Sequence, residues 1–193
     1  MNRPALAFLL AALAADAGCH DRSRCAAGIK PTVELRDGSG ALTLALKGDD
    51  VCDSHDKRVA TLAAKADGVT LKDPAGNVRL DLTRESDTVA QGRDRQGPHL
   101  RLYRDAHEFR VLRPDGVPLG SVVPEGSGGT IFSPASSPLA RVYQRDRDAV
   151  VTDMSGTAVT YVVPAAKAPP AGVFGVPSLE LAEQLAIYMF WSR

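Results

Sequence analysis

Apolar and polar residues alternate along most of this chain. Val69 and Leu71 are interleaved with Thr70 and Lys72, and Val78, Leu80 and Leu82 with Asn77, Arg79 and Asp81. A period of two belongs to a strand with one face buried and the other wet. Between the two runs stands Asp73-Pro-Ala-Gly76, where aspartate can accept hydrogen bonds from its own turn and glycine can take a positive φ. The unit is a β-hairpin, and it recurs. Val33 to Gly40 matches Val69 to Gly76 at an offset of 36, and Leu42, Leu44 and Leu46 then fall on Val78, Leu80 and Leu82. Gly76, Gly116 and Gly156 follow at a spacing of 40, which also relates Arg101-Leu-Tyr103 to Arg141-Val-Tyr143 and Val122-Val-Pro124 to Val162-Val-Pro164. Asp37, Asp73 and Asp153 hold the turn position, with Pro114-Asp115-Gly116 in its place in the third copy. These carboxylates are turn formers, with no need of a catalytic role.

A further strand precedes the later hairpins, at about Arg58–Ala64, Leu100–Arg104 and Leu139–Gln144. Each of the four repeats then holds about three strands, and the chain roughly 10–12. The pattern changes at the end. Pro177 and Ser178 give a helix start with Ser178 as N-cap, Glu180 and Glu183 sit in the first turns, and Leu185 to Trp191 has no charged or amide side chain. A helix over about 178–191 is expected, buried on all sides because it has no polar stripe. It is too short and too interrupted to span a bilayer, which takes about 18 apolar residues. Pro164 to Pro177, rich in Ala, Pro and Gly, reads as a loop leading into it. A repeat near 40 residues also suits a β-propeller, but propeller blades hold four strands, and a propeller has no place for an apolar terminal helix. A closed or nearly closed antiparallel barrel enclosing the helix does.

Repeated hairpins of the form strand, Asp-x-x-Gly, strand, ending in a short hydrophobic helix, resemble the tubby-like barrel, the superfamily of the tubby C-terminal domain, the phospholipid scramblases and the LURP-one-related proteins. The resemblance covers Lys30 to Trp191 and implies twelve strands around a hydrophobic C-terminal helix. Tubby domains bind phosphoinositides through basic surface residues, and scramblases carry a calcium-binding segment. Neither a strong basic cluster nor a calcium loop is present here, so the resemblance carries the fold and not those activities.

With 193 residues and 44% apolar content, the chain suits a single domain with a substantial core. Lys+Arg and Asp+Glu balance at 23 each, which argues against nucleic acid as a partner. Residues 1–18 read as a signal peptide: Arg3, an apolar run from Ala5 to Ala15, then Ala17 and Gly18 before Cys19. Ala17-Gly18-Cys19 resembles the end of a bacterial lipoprotein signal, in which the cysteine receives lipid, although Asp16 stands where an apolar residue is usual. Cys19 is thus the candidate lipidation site, residues 19–29 a tether, and 30–193 the barrel domain. Export leaves Cys25 and Cys52 as an even pair in an oxidising compartment, expected to be joined in a disulfide, with two free buried thiols as the alternative.

Few side chains suggest chemistry. In Gly48 to Lys57, Cys52 and His55 have ligand-like spacing among four aspartates, but no second pair completes a site, and a solvated loop between repeats is expected. Ser54-His55-Asp56 are neighbours that cannot face one another as a triad. His107-Glu108 has Val111 where a zinc-protease motif needs a second histidine, and Gly126-Ser-Gly-Gly129 reads as a flexible turn. Arg101 and Tyr103, with their repeat mates Arg141, Tyr143 and Arg145, should share the outer barrel face as a candidate patch for anionic lipid or protein. No metal, cofactor or catalytic set is expected. The sequence therefore points to a non-enzymatic barrel at the bacterial cell envelope, lipid-anchored, with a binding or scaffolding role. The alternative is a carrier or sensor of lipid or another apolar ligand, using a cavity beside the C-terminal helix.

Overall fold

The computed structural model describes residues 23–165 and 167–192. Fourteen antiparallel strands, each paired with the next in sequence, form one closed barrel in which β14 returns to pair with β1. They are β1 (Val33–Asp37), β2 (Leu42–Lys47), β3 (Asp50–Asp53), β4 (Arg58–Ala64), β5 (Gly68–Lys72), β6 (Val78–Arg84) and β7 (Val89–Asp94). The second half comprises β8 (Gly97–Arg104), β9 (Phe109–Leu112), β10 (Pro118–Glu125), β11 (Gly128–Phe132), β12 (Pro138–Arg145), β13 (Asp148–Asp153) and β14 (Ala158–Val163). Closure leaves no unpaired edge. Inward residues such as Leu35, Leu71, Leu80, Leu100 and Ile131 are at most 1% exposed. The outer wall carries Lys65, Asp81, Arg93, Arg101 and Arg141. An apolar inside and a charged outside are the reverse of a barrel that faces lipid.

The strand number exceeds the expected 10–12. The additional strands are β3, β7 and β11, so that the two middle repeats (β4–β7 and β8–β11) hold four strands rather than three, and the first and last hold three each. All three lie where local signals are weak: β3 in the polar Gly48 to Lys57 stretch, β7 in Val-Ala-Gln-Gly-Arg-Asp, and β11 in the glycine-rich segment taken for a turn. Pairing on both sides holds them extended, as where Val51 faces Leu46 on β2 and Ala60 on β4. Four strands per repeat is also the propeller count, so strand number does not exclude that fold. The single closed sheet does.

The Asp-x-x-Gly turns, which join β1 to β2, β5 to β6, β9 to β10 and β13 to β14, lie together at one end of the barrel, the turn end. There the Asp37 carboxylate accepts the backbone N–H groups of Ser39 and Ala41 at 2.9 and 3.0 Å, and Asp153 accepts those of Ser155 and Thr157, both at 2.9 Å. Gly40, Gly76, Gly116 and Gly156 have φ between 85° and 89°, which an L side chain rarely adopts. These hydrogen bonds stabilise the ionised carboxylates. The Ser39 hydroxyl lowers the pKa of Asp37, the Asn77 backbone N–H that of Asp73, and the Ser155 hydroxyl that of Asp153. A pKa lower in the folded than in the unfolded chain contributes stability that is complete above about pH 4 and is lost as pH falls through the folded value. The melting temperature should therefore hold from pH 8 to pH 5 and drop below pH 4. Replacing Asp37, Asp73 and Asp153 together by Asn should shrink that drop; an unchanged acid limb in thermal melts of the triple variant would refute the assignment.

The opposite end, the mouth, is where β14 ends and the C-terminal segment turns into the lumen. A short helix α1 (Ala168–Ala171) and a 3-10 turn (Gly172–Gly175) replace the loop expected between Pro164 and Pro177 and pack against β10 to β13. Small residues allow this approach: a Cβ at Gly172 would lie 2.7 Å from the Val122 methyls, and one at Gly175 would lie 2.6 Å from Ile131 Cδ1. At the turn end the chain reverses, with the Ser178 hydroxyl on the Leu119 carbonyl at 3.3 Å. Helix α2 (Leu181–Trp191) then runs back to the mouth along β5 and β6. In a ring of fourteen, β5 and β12 are seven strands apart and so face each other. The two limbs of the C-terminal segment line opposite walls and touch across the middle. Barrel width grows with strand number, and a wall of this size needs more than its own side chains to fill it.

Helix α2 starts at Leu181, later than expected, and its N-cap is Glu180 in place of Ser178. Glu180 and Glu183 form a reciprocal capping box, with the Glu180 backbone N–H donating to Glu183 Oε2 at 3.2 Å. Gln184 is buried and donates to the carbonyls of Val176 and Leu179 at 2.8 and 3.3 Å. The polar residues of the first turn thus fasten the reversal, while Leu185, Ala186 and Ile187 are fully buried.

Ser23 to Gly28, within the expected tether, include a stretch laid against the barrel. Arg24 bridges to Lys57, and the Cys25 N–H donates to the Asp56 carbonyl at 2.9 Å. Cys25 and Cys52 form a disulfide with Cα atoms 6.1 Å apart. Cys52 pairs with Ala45 across β2 and β3, and both side chains are buried under this segment. The expected signal peptide and Cys19 lie outside the described residues.

Candidate functional site: the mouth of the barrel

Helix α2 emerges at the mouth with Phe190 and Trp191 as its last turn. Trp191 packs edge-on against Phe109, with ring centroids 5.2 Å apart at 64°. Its main-chain carbonyl, left without a partner at the helix end, accepts from Arg104 Nη1 at 2.8 Å. The Arg104 guanidinium also lies over Phe109 at 5.2 Å, and that of Arg84 over Phe190 at 5.8 Å. Both arginines are the last residues of their strands, β6 and β8.

Two clefts meet on the Arg104–Trp191 pair. One, of about 280 Å³, is walled by Arg84, Ser86, Asp87, Thr88 and Phe190. The other, also about 280 Å³, is walled by Phe109, Pro124, Pro169, Pro170 and Lys167. Among the described residues, Arg84, Arg104 and Lys167 have no carboxylate within 4.0 Å. Elsewhere cations are commonly paired, Lys65 with Asp81 and Arg79 with Glu180. Asp105, on the rim, is turned back into its own loop, where it accepts the N–H groups of His107 and Glu108 at 2.7 and 2.8 Å. The His107 N–H bond leads the interactions that lower its pKa. His107-Glu108 is therefore part of a turn.

The residues singled out in the sequence fall elsewhere. Arg101 and Tyr103 point outward on β8, and Arg141, Tyr143 and Arg145 outward on β12. Three strands separate the two groups, about 19 Å at the usual interstrand spacing, so they do not adjoin. Arg101 is 3.7 Å from Glu85, and the Tyr103 ring lies under Arg110 at 4.6 Å, with a hydroxyl whose pKa is raised by its hydrogen bond to Asp105. Arg141 and Arg145 make no ion pair among the described residues. Cys52 is committed to the disulfide, His55 Nδ1 lies 3.3 Å from Ser54 Oγ, and no group of three metal-ligating side chains occurs among the described residues. Among the described residues His99 most resembles a relay, with Nδ1 3.3 Å from Asp94 and Nε2 3.2 Å from Glu183, and it ties the wall to the cap of α2.

The mouth cluster was not singled out in the sequence. Its one local signal is an arginine ending a strand, at Arg84 and Arg104, and that means little until the barrel closes around Trp191. No family model, curated protein or solved structure matches this chain.

Proposed function

We propose that this is an exported envelope protein, lipid-anchored through Cys19, which binds at its mouth and catalyses no reaction. One observation carries the reading: the chain fills its own lumen with the C-terminal segment, and its rim carries, beside aromatic rings, cations that have no carboxylate partner among the described residues. Packing of this kind supports a rigid recognition surface and leaves little room for a ligand carried deep inside. The alternative, a carrier of apolar ligand beside the helix, keeps support only as a rim site. The closed barrel around an apolar terminal helix supports kinship with tubby-like barrels in layout, with two strands more than the twelve expected there. The disulfide suits an oxidising compartment.

The tether gives the mouth a direction. Arg24 and Cys25 lie beside the β3–β4 turn, at the turn end. Four residues span at most about 14 Å, so an anchor at Cys19 holds the turn end closer to the membrane and leaves the mouth facing away. The full-length protein should fractionate with membranes, and Cys19→Ala should release it. A photo-crosslinking residue at Thr88 should capture a partner in cells, whereas one at Asn77 should not. Mature protein with a free N-terminus other than Cys19 would overturn the anchor, and capture from Asn77 alone would overturn the mouth as binding face.

A further inference from the structure

We infer that the mouth binds a carboxylate-headed small molecule with an apolar body, its head held by Arg84 and Arg104 and its body laid along Phe109, Pro124 and Pro169 beside Trp191. The inference rests on the mouth being the binding face and adds the ligand's chemistry.

The two clefts differ in character. Arginines and the hydroxyls of Ser86 and Thr88 line the first, whereas aromatic and proline rings make up half of the lining of the second. Because Arg104 and Trp191 wall both, one molecule can lie across them. The arginines are positioned by rings and a main-chain carbonyl, which fix a guanidinium without neutralising it. A planar guanidinium is suited to the two oxygens of a carboxylate, and two of them walling one cleft favour an anion over a neutral polar group. Asp87 is the acid in the first cleft, and Asp105 spends its carboxylate on its own turn, so among the described residues Arg84, Arg104 and Lys167 outnumber the acids. A further donor waits at the junction: the Trp191 indole N–H is buried and finds no acceptor among the described residues. Buried donors are costly to leave unmatched.

Size narrows the class. Each cleft is at the small end for ligand sites, and the filled lumen blocks extension inward. The part held is therefore the head and the first stretch of an aliphatic chain, as in a medium-chain fatty acid.

Trp191 is the chain's one tryptophan, so its fluorescence reports on the site alone. Disulfide-intact mature protein is titrated with sodium decanoate and, separately, with 1-decanol at pH 8, and calorimetry repeats both titrations independently of the indole. Decanoate should give a saturable response, with decanol at least about tenfold weaker, the loss expected for a charge-assisted hydrogen bond. Arg84→Gln should weaken decanoate about tenfold and leave decanol unchanged. Arg84 serves better than Arg104, whose loss would also uncap α2. No saturable response to decanoate by either method, equal binding of decanol, or indifference to Arg84→Gln would each overturn the inference. Failure with decanoate while Thr88 still captures a partner in cells removes the ligand class and keeps the mouth as binding face; failure of both removes both.

Discussion

Ile187→Asp is expected to abolish the folded barrel. Ile187 is fully buried in the middle of α2, between Ala186 and the buried Tyr188, within the hydrophobic core cluster. An unpaired buried charge costs several kcal/mol, against a total stability of about 5–15 kcal/mol for a domain. Ile187→Ala, which only opens a cavity, should cost about 2–5 kcal/mol and leave a weakened but cooperative transition. Removing Ser178 to Arg193 should match the aspartate variant, since it strips the filling from the wall formed by β5 and β6. Thermal melts followed by circular dichroism separate this from a picture in which α2 is an accessory tail: a truncated protein that melts like the full chain would refute the helix as core.

Breaking the Cys25–Cys52 bridge ranks second in expected effect. The cysteines are 27 positions apart, and a loop of that length is worth about 3.5 kcal/mol through the entropy it removes from the unfolded chain. For a domain of this size, that lowers the melting temperature by about 7–14 °C. The folded state loses something too, because Cys25 and Cys52 are both buried side chains joined through the bridge. Cys25→Ala/Cys52→Ala should therefore melt lower than the oxidised parent, and a reducing agent should lower the parent's transition while leaving the double variant unmoved. If reduction does not change the parent's melting temperature, the bridge contributes no stability and the N-terminal segment is held by its backbone hydrogen bonds alone.

Much of the wall was legible because its signals are local. The alternation in Val69 to Leu82 places two strands, Asp-x-x-Gly closes the turn between them, and β4 spans the expected Arg58–Ala64. The apolar run after Leu185 likewise identifies a buried helix, since a helix without a polar stripe has nowhere else to lie. Other features belong to no single stretch. β3, β7 and β11 are strands because neighbours on both sides pair with them, and their own residues would equally suit loops. The pairing of Cys25 with Cys52 was one of two readings until the N-terminal segment was seen against β3. Equivalence by repeat also misled about neighbourhood: one period of 40 residues is four strands, so Arg101 and Arg141 share a face and not a patch. The mouth is the extreme case. Arg84, Arg104, Lys167 and Trp191 are scattered over half the chain, and only the closure of β14 onto β1 and the return of α2 through the lumen bring them together. Strands and turns are set by interactions across a few residues, which a sequence displays; a binding surface assembled from strand ends depends on how many strands close the ring, and that is decided by packing of the whole.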